Sequence, residues 1–443
     1  MLETTARLLL TSHHMTTTQK PAQQKIFTPY QVFIIAILTI IQFSVILDFM
    51  VLSPLGVFLI KNWHIHPSQF GLVVSVYAFS AGISGILAAG FADKFDRKKF
   101  LLFFYVGFLV GTLLCAIAPD YHFLLFARII TGVFGGVIGS ISFAIISDIF
   151  KMEVRGRVMG FVQMAFAASQ ILGLPIGLVL ANHFGWHSPF WMIAVFCSAV
   201  GVVIALYMKP INEHLKIRSD QRNPFHHLVK TISRSHYVRG FMATALLATG
   251  GFMLMPLGST FSNFNLGIRL DQLWILYGVS GVFTILTGPA IGKLSDKVGK
   301  YTIFVAGSLI GIVMVAIYTN LGITPLWVII ILSILLYIGI SSRMISSSAL
   351  MTAVPEPQDR GAFMSINSSI QQISGGIASA VAGLIVVQTK SGVLEHYNRL
   401  GYVVIGTMTI TIIMMYFLNK YVQNKNAKSF APMMKEEVQL ATE

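Results

Sequence analysis

Twelve stretches of about twenty predominantly apolar residues follow one another along this chain, each long enough to cross a bilayer's hydrocarbon core as an α-helix. They fall near residues 32–60, 69–90, 100–118, 123–149, 158–181, 188–208, 239–262, 273–292, 302–319, 325–351, 361–388 and 401–421. Charged residues make up 11% of the 443 and hydrophobic residues 55%. A soluble protein carries about 25% charged residues, so most of this surface is expected to meet lipid. The expected fold class is an all-α membrane protein of twelve transmembrane helices in two pseudo-symmetric six-helix halves.

Charge placement orients the expected bundle. With the N-terminus in the cytoplasm, 25 of the 31 Lys and Arg fall on the cytoplasmic side. Four (Lys61, Arg269, Lys390 and Arg399) fall outside, and two, Arg128 and Arg343, lie within predicted helices. This is the positive-inside bias. It puts both termini in the cytoplasm, and it explains the net charge of +14 without nucleic acid. The expected divisions are an N-terminal cytoplasmic tail (1–29), a first six-helix half (30–208), a basic cytoplasmic linker (209–238), a second half (239–421) and a C-terminal tail (422–443). The apolar run Leu8-Leu9-Leu10 is too short for a secretory signal, and Met15 is an alternative start.

The halves repeat. Met50-Val51-Leu52-Ser53-Pro54-Leu55-Gly56 matches Phe252-Met253-Leu254-Met255-Pro256-Leu257-Gly258 at an offset of 202. Ser68-Gln69 matches Asp271-Gln272 and Asp93-Lys94 matches Asp296-Lys297, both at 203; Arg155-Gly156 matches Arg360-Gly361 at 205. Ser68 and Asp271 are expected to cap the helices that follow them. Two parallel repeats about an axis along the membrane normal place a cavity between them, exposed to either side by rocking.

Several strings resemble the major facilitator superfamily. Asp93-Lys94-Phe95-Asp96-Arg97-Lys98-Lys99 is similar to that family's loop motif between helices two and three. Gly292-Lys293-Leu294-Ser295-Asp296-Lys297-Val298-Gly299-Lys300 is a fuller copy, because the first has Ala89 for the leading Gly and Asp96 for the later one. Arg128-Ile129-Ile130-Thr131-Gly132, followed by Gly135-Gly136, resembles the helix-four pattern. Gly173-Leu174-Pro175-Ile176-Gly177 resembles the antiporter motif of helix five, with Leu174 intervening. Leu47-Asp48, Ser53-Pro54-Leu55-Gly56 and the Gly339–Arg343 string look most like the twelve-helix drug/proton antiporter and sugar-efflux group. The resemblance implies secondary active transport of a small solute by alternating access. Proton-coupled efflux of drugs, sugars or metabolites is the leading expectation. An importer or facilitator on the same fold, and a transporter-like sensor, are the alternatives.

Charges inside a membrane cost roughly 2.5–3.5 kcal/mol each on insertion scales, so each needs a reason. Asp48 lies far from both ends of helix one, and its repeat counterpart is Gly250, so the scaffold does not demand an acid there. Burial favours the protonated carboxyl; Asp48 is the candidate proton carrier and Arg128, on helix four, its candidate partner. A static ion pair is the other reading of the two. Arg343 either binds an anionic group, anchors a gate or snorkels to the headgroups. Candidate cavity residues are Gln42, Phe49, Gln163, Gln170, Phe252, Met253, Asn263 and Arg343. Candidate gating-loop residues are Asp93, Lys94, Arg97, Asp148, Arg155, Asp296 and Lys297, in which charges pair across a helix end in one state and release in another.

No cofactor is expected. Cys115 and Cys197 sit in apolar runs, no histidine pair sits in a helical metal-ligand pattern such as H-E-x-x-H, and the G-x-x-x-x-G-K-[ST] phosphate cradle of ATP-driven pumps is missing from the sequence. The expected partners are a small-molecule substrate, protons and the lipid bilayer. The expected form is a monomer in a cell membrane, most simply a bacterial inner membrane.

Overall fold

The structure, a computed structural model, describes residues 27–89, 95–216, 231–356 and 359–442; the side chains at 89, 152, 153, 155–157, 163, 167, 170, 214, 216, 360, 361 and 426–442 fall outside that description. Asp93 and Lys94 of the expected gating loop therefore lie outside the described residues, as does the side chain of Arg155.

The apolar runs become helices because lipid offers their backbone no partner. The first half comprises α1 (Pro29–Trp63), α2 (Pro67–Ala89), α3 (Arg97–Ala116), α4 (Tyr121–Ile149), α5 (Met152–Ala168), α6 (Leu174–Phe184) and α7 (Ser188–Tyr207). A π-helical turn, Ser169–Gly173, joins α5 to α6 in one span. The second half comprises α8 (Ser235–Phe264), α9 (Leu273–Val298), α10 (Lys300–Tyr318), α11 (Leu326–Ala353), α12 (Arg360–Ile385) and α13 (Tyr397–Thr442). The Tyr30 hydroxyl accepts from the Lys209 backbone N–H at 3.0 Å, which puts the start of α1 and the end of α7 on one face, here the linker face. Trp63 and the 64–66 connection lie on the far face.

Among the described residues, eleven spans are long and apolar enough to cross a membrane. The expected twelfth, α12, is a full helix but too polar to count as one. It carries Ser365, Asn367, Ser368, Gln371 and Gln372, and it segregates polar from apolar residues more strongly than the other helices do. Its polar residues go with its packing against α2 and α8, while Ile377, Val381 and Leu384 keep an apolar face exposed.

Local chemistry sets the helix ends. Thr28 and Gln31 form a reciprocal capping box at α1. Asp96 and Asp120 cap α3 and α4 through the N–H groups of Lys99 and Phe123, at 3.0 and 2.9 Å. The two expected caps in the repeat are corrected. Pro67 occupies the first turn of α2, whose start is closed by Gln69 accepting from the His66 N–H at 2.8 Å, so Ser68 lies inside the helix. Asp271 sits in a 3₁₀ turn and takes both of its bonds from Arg269, at 3.1 and 2.9 Å. The two loop-motif copies also differ for a reason. Gly299 turns α9 into α10 at φ +107°, a left-handed conformation that favours glycine, whereas Asp96 enters α3 at φ −55° and needs none. On the far face α12 stops three residues before its expected end. Val387–Gln388 pairs with Leu394–Glu395 as a small antiparallel ribbon around Gly392, at φ +89°.

The halves meet where the sequence repeats. Ser53 of α1 donates to the Met255 carbonyl of α8, and Ser259 of α8 donates to the Ser53 carbonyl at 2.7 Å. Nearby, Asn182 of α6 donates to the Leu270 carbonyl at 3.2 Å. These bonds clasp the far-face side. On the linker side α4 and α12 touch through the Ser140 and Ser365 hydroxyls, 3.1 Å apart.

Candidate functional site

Asp48 sits halfway along α1 and is wholly buried, as is Arg128 of α4. Arg128 Nη1 donates to Asp48 Oδ2 at 2.7 Å, and Thr112 of α3 donates to Oδ1 at 3.3 Å. Three helices of the first half thus converge on one carboxylate. Arg128 is only partly satisfied: its Nε and Nη2 are buried without a hydrogen-bond partner. Its guanidinium instead lies over the ring of Tyr77, 4.4 Å from the centroid, where the ring's negative face attracts the cation.

Glycines make this approach possible. A Cβ at Gly132 would meet the Tyr77 carbonyl at 2.5 Å, and one at Gly136 the Ala81 carbonyl at 2.2 Å. The small residues after Arg128 therefore let α4 press against α2 and bring Tyr77 under the guanidinium. In the helix-five string, a Cβ at Gly173 would strike Leu47 at 2.2 Å and one at Gly177 would strike Val51 at 2.8 Å. That string lies against α1 on both sides of Asp48. Pro175 lacks the N–H that would close a bond to Ile171, and the π-helical turn falls just there.

From the ion pair a run of rings reaches the second half. Tyr77 lies 5.3 Å from Phe49, and Phe49 lies 5.3 Å from Phe252 of α8. Phe252 in turn fills the space that a Cβ at Gly375 of α12 would need, at 2.5 Å. Pro256, inside α8, leaves the Phe252 carbonyl without its helical donor, and Ser379 of α12 supplies one at 3.1 Å.

The other candidates divide. Gln42 is half-buried on α1, and the side chains of Gln163 and Gln170 fall outside the described residues. Met253 is buried in the apolar core. Asn263 lies at the far-face end of α8 and donates to the Ile268 carbonyl at 2.7 Å, closing the turn after the helix. Arg343 is buried between helices, 4% exposed, which excludes the snorkelling alternative. Arg97 donates to Asp148 at 2.9 Å, tying α3 to α4 within one half. Asp296 and Lys297 are exposed at the end of α9, and their side chains make no hydrogen bond or ion pair among the described residues.

Sequence reasoning missed Tyr77 and Thr112, each a lone polar group in an apolar run. It also missed the polar face of α12, where Asn367 accepts from Thr244 of α8 at 2.6 Å. The signal for the latter was the poor apolarity of that predicted span.

Among curated proteins, the chain is 25% identical over 375 residues to the uncharacterized MFS-type transporter YceJ of Bacillus subtilis, covering 84% of this chain and 94% of that one. It is 31% identical over 152 residues to multidrug resistance protein 3 of the same organism, covering 34% and 30%. It is 22% identical over 223 residues to a probable sugar efflux transporter of Mannheimia succiniciproducens, covering 48% and 53%. Among solved structures, a bacterial homolog of the human lysosomal transporter Spinster, inward-facing and unoccupied, matches with a TM-score of 0.64 and 16% identity. The match covers 89% of this chain and 97% of that one. The sequence model of the Major Facilitator Superfamily matches residues 38–318 and, again, 240–440. With eleven apolar spans and one more polar full-length helix among the described residues, arranged in two halves with a repeat at their junction, this chain is a multi-pass membrane transporter of the major facilitator superfamily.

Proposed function

We propose that this chain is a proton-coupled exporter of a small solute, a drug, sugar or metabolite, working as a monomer by alternating access in a bacterial inner membrane with both termini cytoplasmic. The observation that carries the reading is the wholly buried Asp48–Arg128 pair at 2.7 Å, with Gly250 at the repeat position of the acid. A carboxylate that the scaffold does not require, placed where charge is penalised, is an intramembrane functional group by default.

In the proposed cycle, Asp48 takes a proton and loses its charge. Arg128 is then left with Tyr77 alone, and the unpaired guanidinium destabilises that arrangement. The strain passes through Tyr77 and Phe49 to Phe252, and so to the other half. The clasp at Ser53, Met255 and Ser259 is the element that opens. Release of the proton on the other side restores the pair and resets the halves. The names of the multidrug and sugar-efflux relatives support export over import.

Everted membrane vesicles test the reading. Respiration acidifies the lumen and quenches acridine orange; a transported solute dissipates the gradient and restores fluorescence. A panel of cationic dyes, sugars and organic acids is added to vesicles carrying the wild type or Asp48→Asn. At least one solute is expected to restore fluorescence in the wild type and none in the variant. Equal recovery with Asp48→Asn would remove the proton role.

A further inference from the structure

Arg343 of α11 is a buried cation without an acid. It is 4% exposed, its Nε and Nη2 are buried and unpartnered, and no hydrogen bond or ion pair reaches it among the described residues. The nearest compensation is the Phe304 ring of α10, 5.7 Å from the guanidinium carbon, at the far limit of a useful cation–π contact. The first half shows how this protein accommodates such a group: Arg128 has Asp48.

The place where an acid would stand is empty of side chain. Gly250 of α8 is the repeat counterpart of Asp48, and a Cβ built on it would lie 3.9 Å from Arg343 Nη1. The same Cβ would lie 3.9 Å from Thr407 Oγ1 and 3.8 Å from Val404 Cγ1, both on α13, with no closer atom. So at the position that in one half supplies a carboxylate, the other half keeps a small slot, with room for a first carbon in ordinary van der Waals contact with its walls. The guanidinium lines one side of it, a hydroxyl another and an aliphatic wall a third. The Thr407 hydroxyl donates at present to the Val404 carbonyl at 2.8 Å and has its lone pairs and rotation to adapt. The next residue, Gly251, is exposed and has open space beside it.

We propose that Arg343 binds an anionic oxygen group, a carboxylate, of the transported solute, which enters beside Gly251 and occupies the slot left by Gly250. The solute supplies the acid that the second half lacks. One singly charged group neutralises one guanidinium, and the planar fork of arginine suits two carboxylate oxygens. Val404 and Phe304 suit an apolar skeleton next to the charge. The inference rests on the transport reading and narrows its solute to an organic anion.

Binding to the purified full chain tests it without any need for flux. The probes are 2-naphthoate, its neutral isostere 2-naphthamide, and sodium chloride, each read by thermal stabilisation in low-salt buffer. Naphthoate is expected to stabilise the wild type, and naphthamide is not. Arg343→Gln is expected to weaken naphthoate binding about 10- to 100-fold, the size of a charge-assisted interaction. Gly250→Asp plants a carboxylate in the slot, and it is expected to raise the melting temperature while abolishing naphthoate binding. Because it adds a partner rather than removing one, it stays informative if Arg343→Gln fails to fold. Naphthoate binding within about 2-fold of wild type in Arg343→Gln or in Gly250→Asp overturns the proposal. So does equal binding of naphthamide, and so does chloride giving the full stabilisation and excluding naphthoate, which would make this an inorganic-ion site. Loss of the binding result with pH-driven flux intact sinks this inference alone; binding at Arg343 without flux of any solute sinks the transport reading alone.

Discussion

Ser259 of α8 gives its hydroxyl proton to the carbonyl of Ser53 on α1, 2.7 Å away, and the two residues flank the repeated Pro-Leu-Gly strings of the two halves. Ser53 is followed directly by Pro54, and Ser259 directly follows Gly258. The repeat thus supplies both sides of the far-face clasp. Ser259→Ala removes one bond, worth about 1 kcal/mol, and shifts the balance about 5-fold toward a far face that is open. Spin labels at His122, exposed in the first turn of α4, and at Ile323, exposed in the connection between α10 and α11, are expected to show a larger population at long distance. An unchanged distance distribution would mean that the clasp does not hold the halves.

The buried ion pair predicts an asymmetry between its two members. Arg128→Ala strands a carboxylate among apolar helices and is expected to cost about 3–5 kcal/mol. Asp48→Asn keeps one carbonyl acceptor for Arg128 and turns its amide N–H toward the Thr112 hydroxyl, which can accept, so both contacts survive the loss of charge and it is expected to cost less than Arg128→Ala. Joining Asp48→Asn to Arg128→Met should recover most of the lost stability while leaving coupling dead. Thermal melting of the purified variants gives the order. Arg128→Ala melting no lower than Asp48→Asn would show that the pair contributes little to the fold.

The helix-four glycines carry a paired prediction. At Gly136 a methyl group meets the Ala81 carbonyl at 2.2 Å, a backbone atom that cannot step aside. Gly139, one turn on, has nothing within 4 Å. Gly136→Ala is expected to force α2 and α4 apart at about 1–3 kcal/mol. Gly139→Ala is expected to be neutral or slightly stabilising through higher helix propensity. Monodisperse yield and melting temperature read both, and similar behaviour of the two would contradict the close approach.

Much of this was legible in the sequence, because lipid imposes a simple code. Apolar length gave the spans, and the Lys and Arg bias gave an expected orientation. The Pro-Leu-Gly repeat marked the halves as copies of one unit; that the two strings meet at the junction is a property of the fold. Asp48 and Arg128 stood out because charge is rare in such runs, and their meeting needed only that helices one and four be neighbours. Packing was harder to read. Tyr77 belongs to the site through a glycine-thinned crossing of α2 and α4, and an aromatic residue in an apolar run carries no mark of that. Asn263 looked like a cavity amide, but its distance from the helix end decides its use, and helix ends are the least certain part of a sequence reading. The polar face of α12 was visible as weak apolarity, yet residues 361–388 were read as a span like the others. Arg343 was visible as a charge; its lack of a partner was not, since absence of a contact is a property of the whole bundle.

The last prediction concerns the junction between the ion pair and the other half. Phe252 touches Phe49 across the interface at 5.3 Å and also fills the gap beside Gly375. Phe252→Ala leaves Asp48, Arg128 and Thr112 untouched but removes the contact through which their state would reach α8. Such aromatic pairs contribute about 0.5–1.5 kcal/mol beyond burial, which is enough to change a coupling energy of 1–3 kcal/mol. The expected result is proton movement that no longer depends on solute, seen as faster spontaneous loss of the pH gradient in proteoliposomes. Phe252→Leu, which keeps most of the volume, is expected to fall between the two. A Phe252→Ala protein that melts like the wild type and still couples solute to proton would show that the halves communicate elsewhere. The Ser140–Ser365 contact on the linker side would then be the next place to cut.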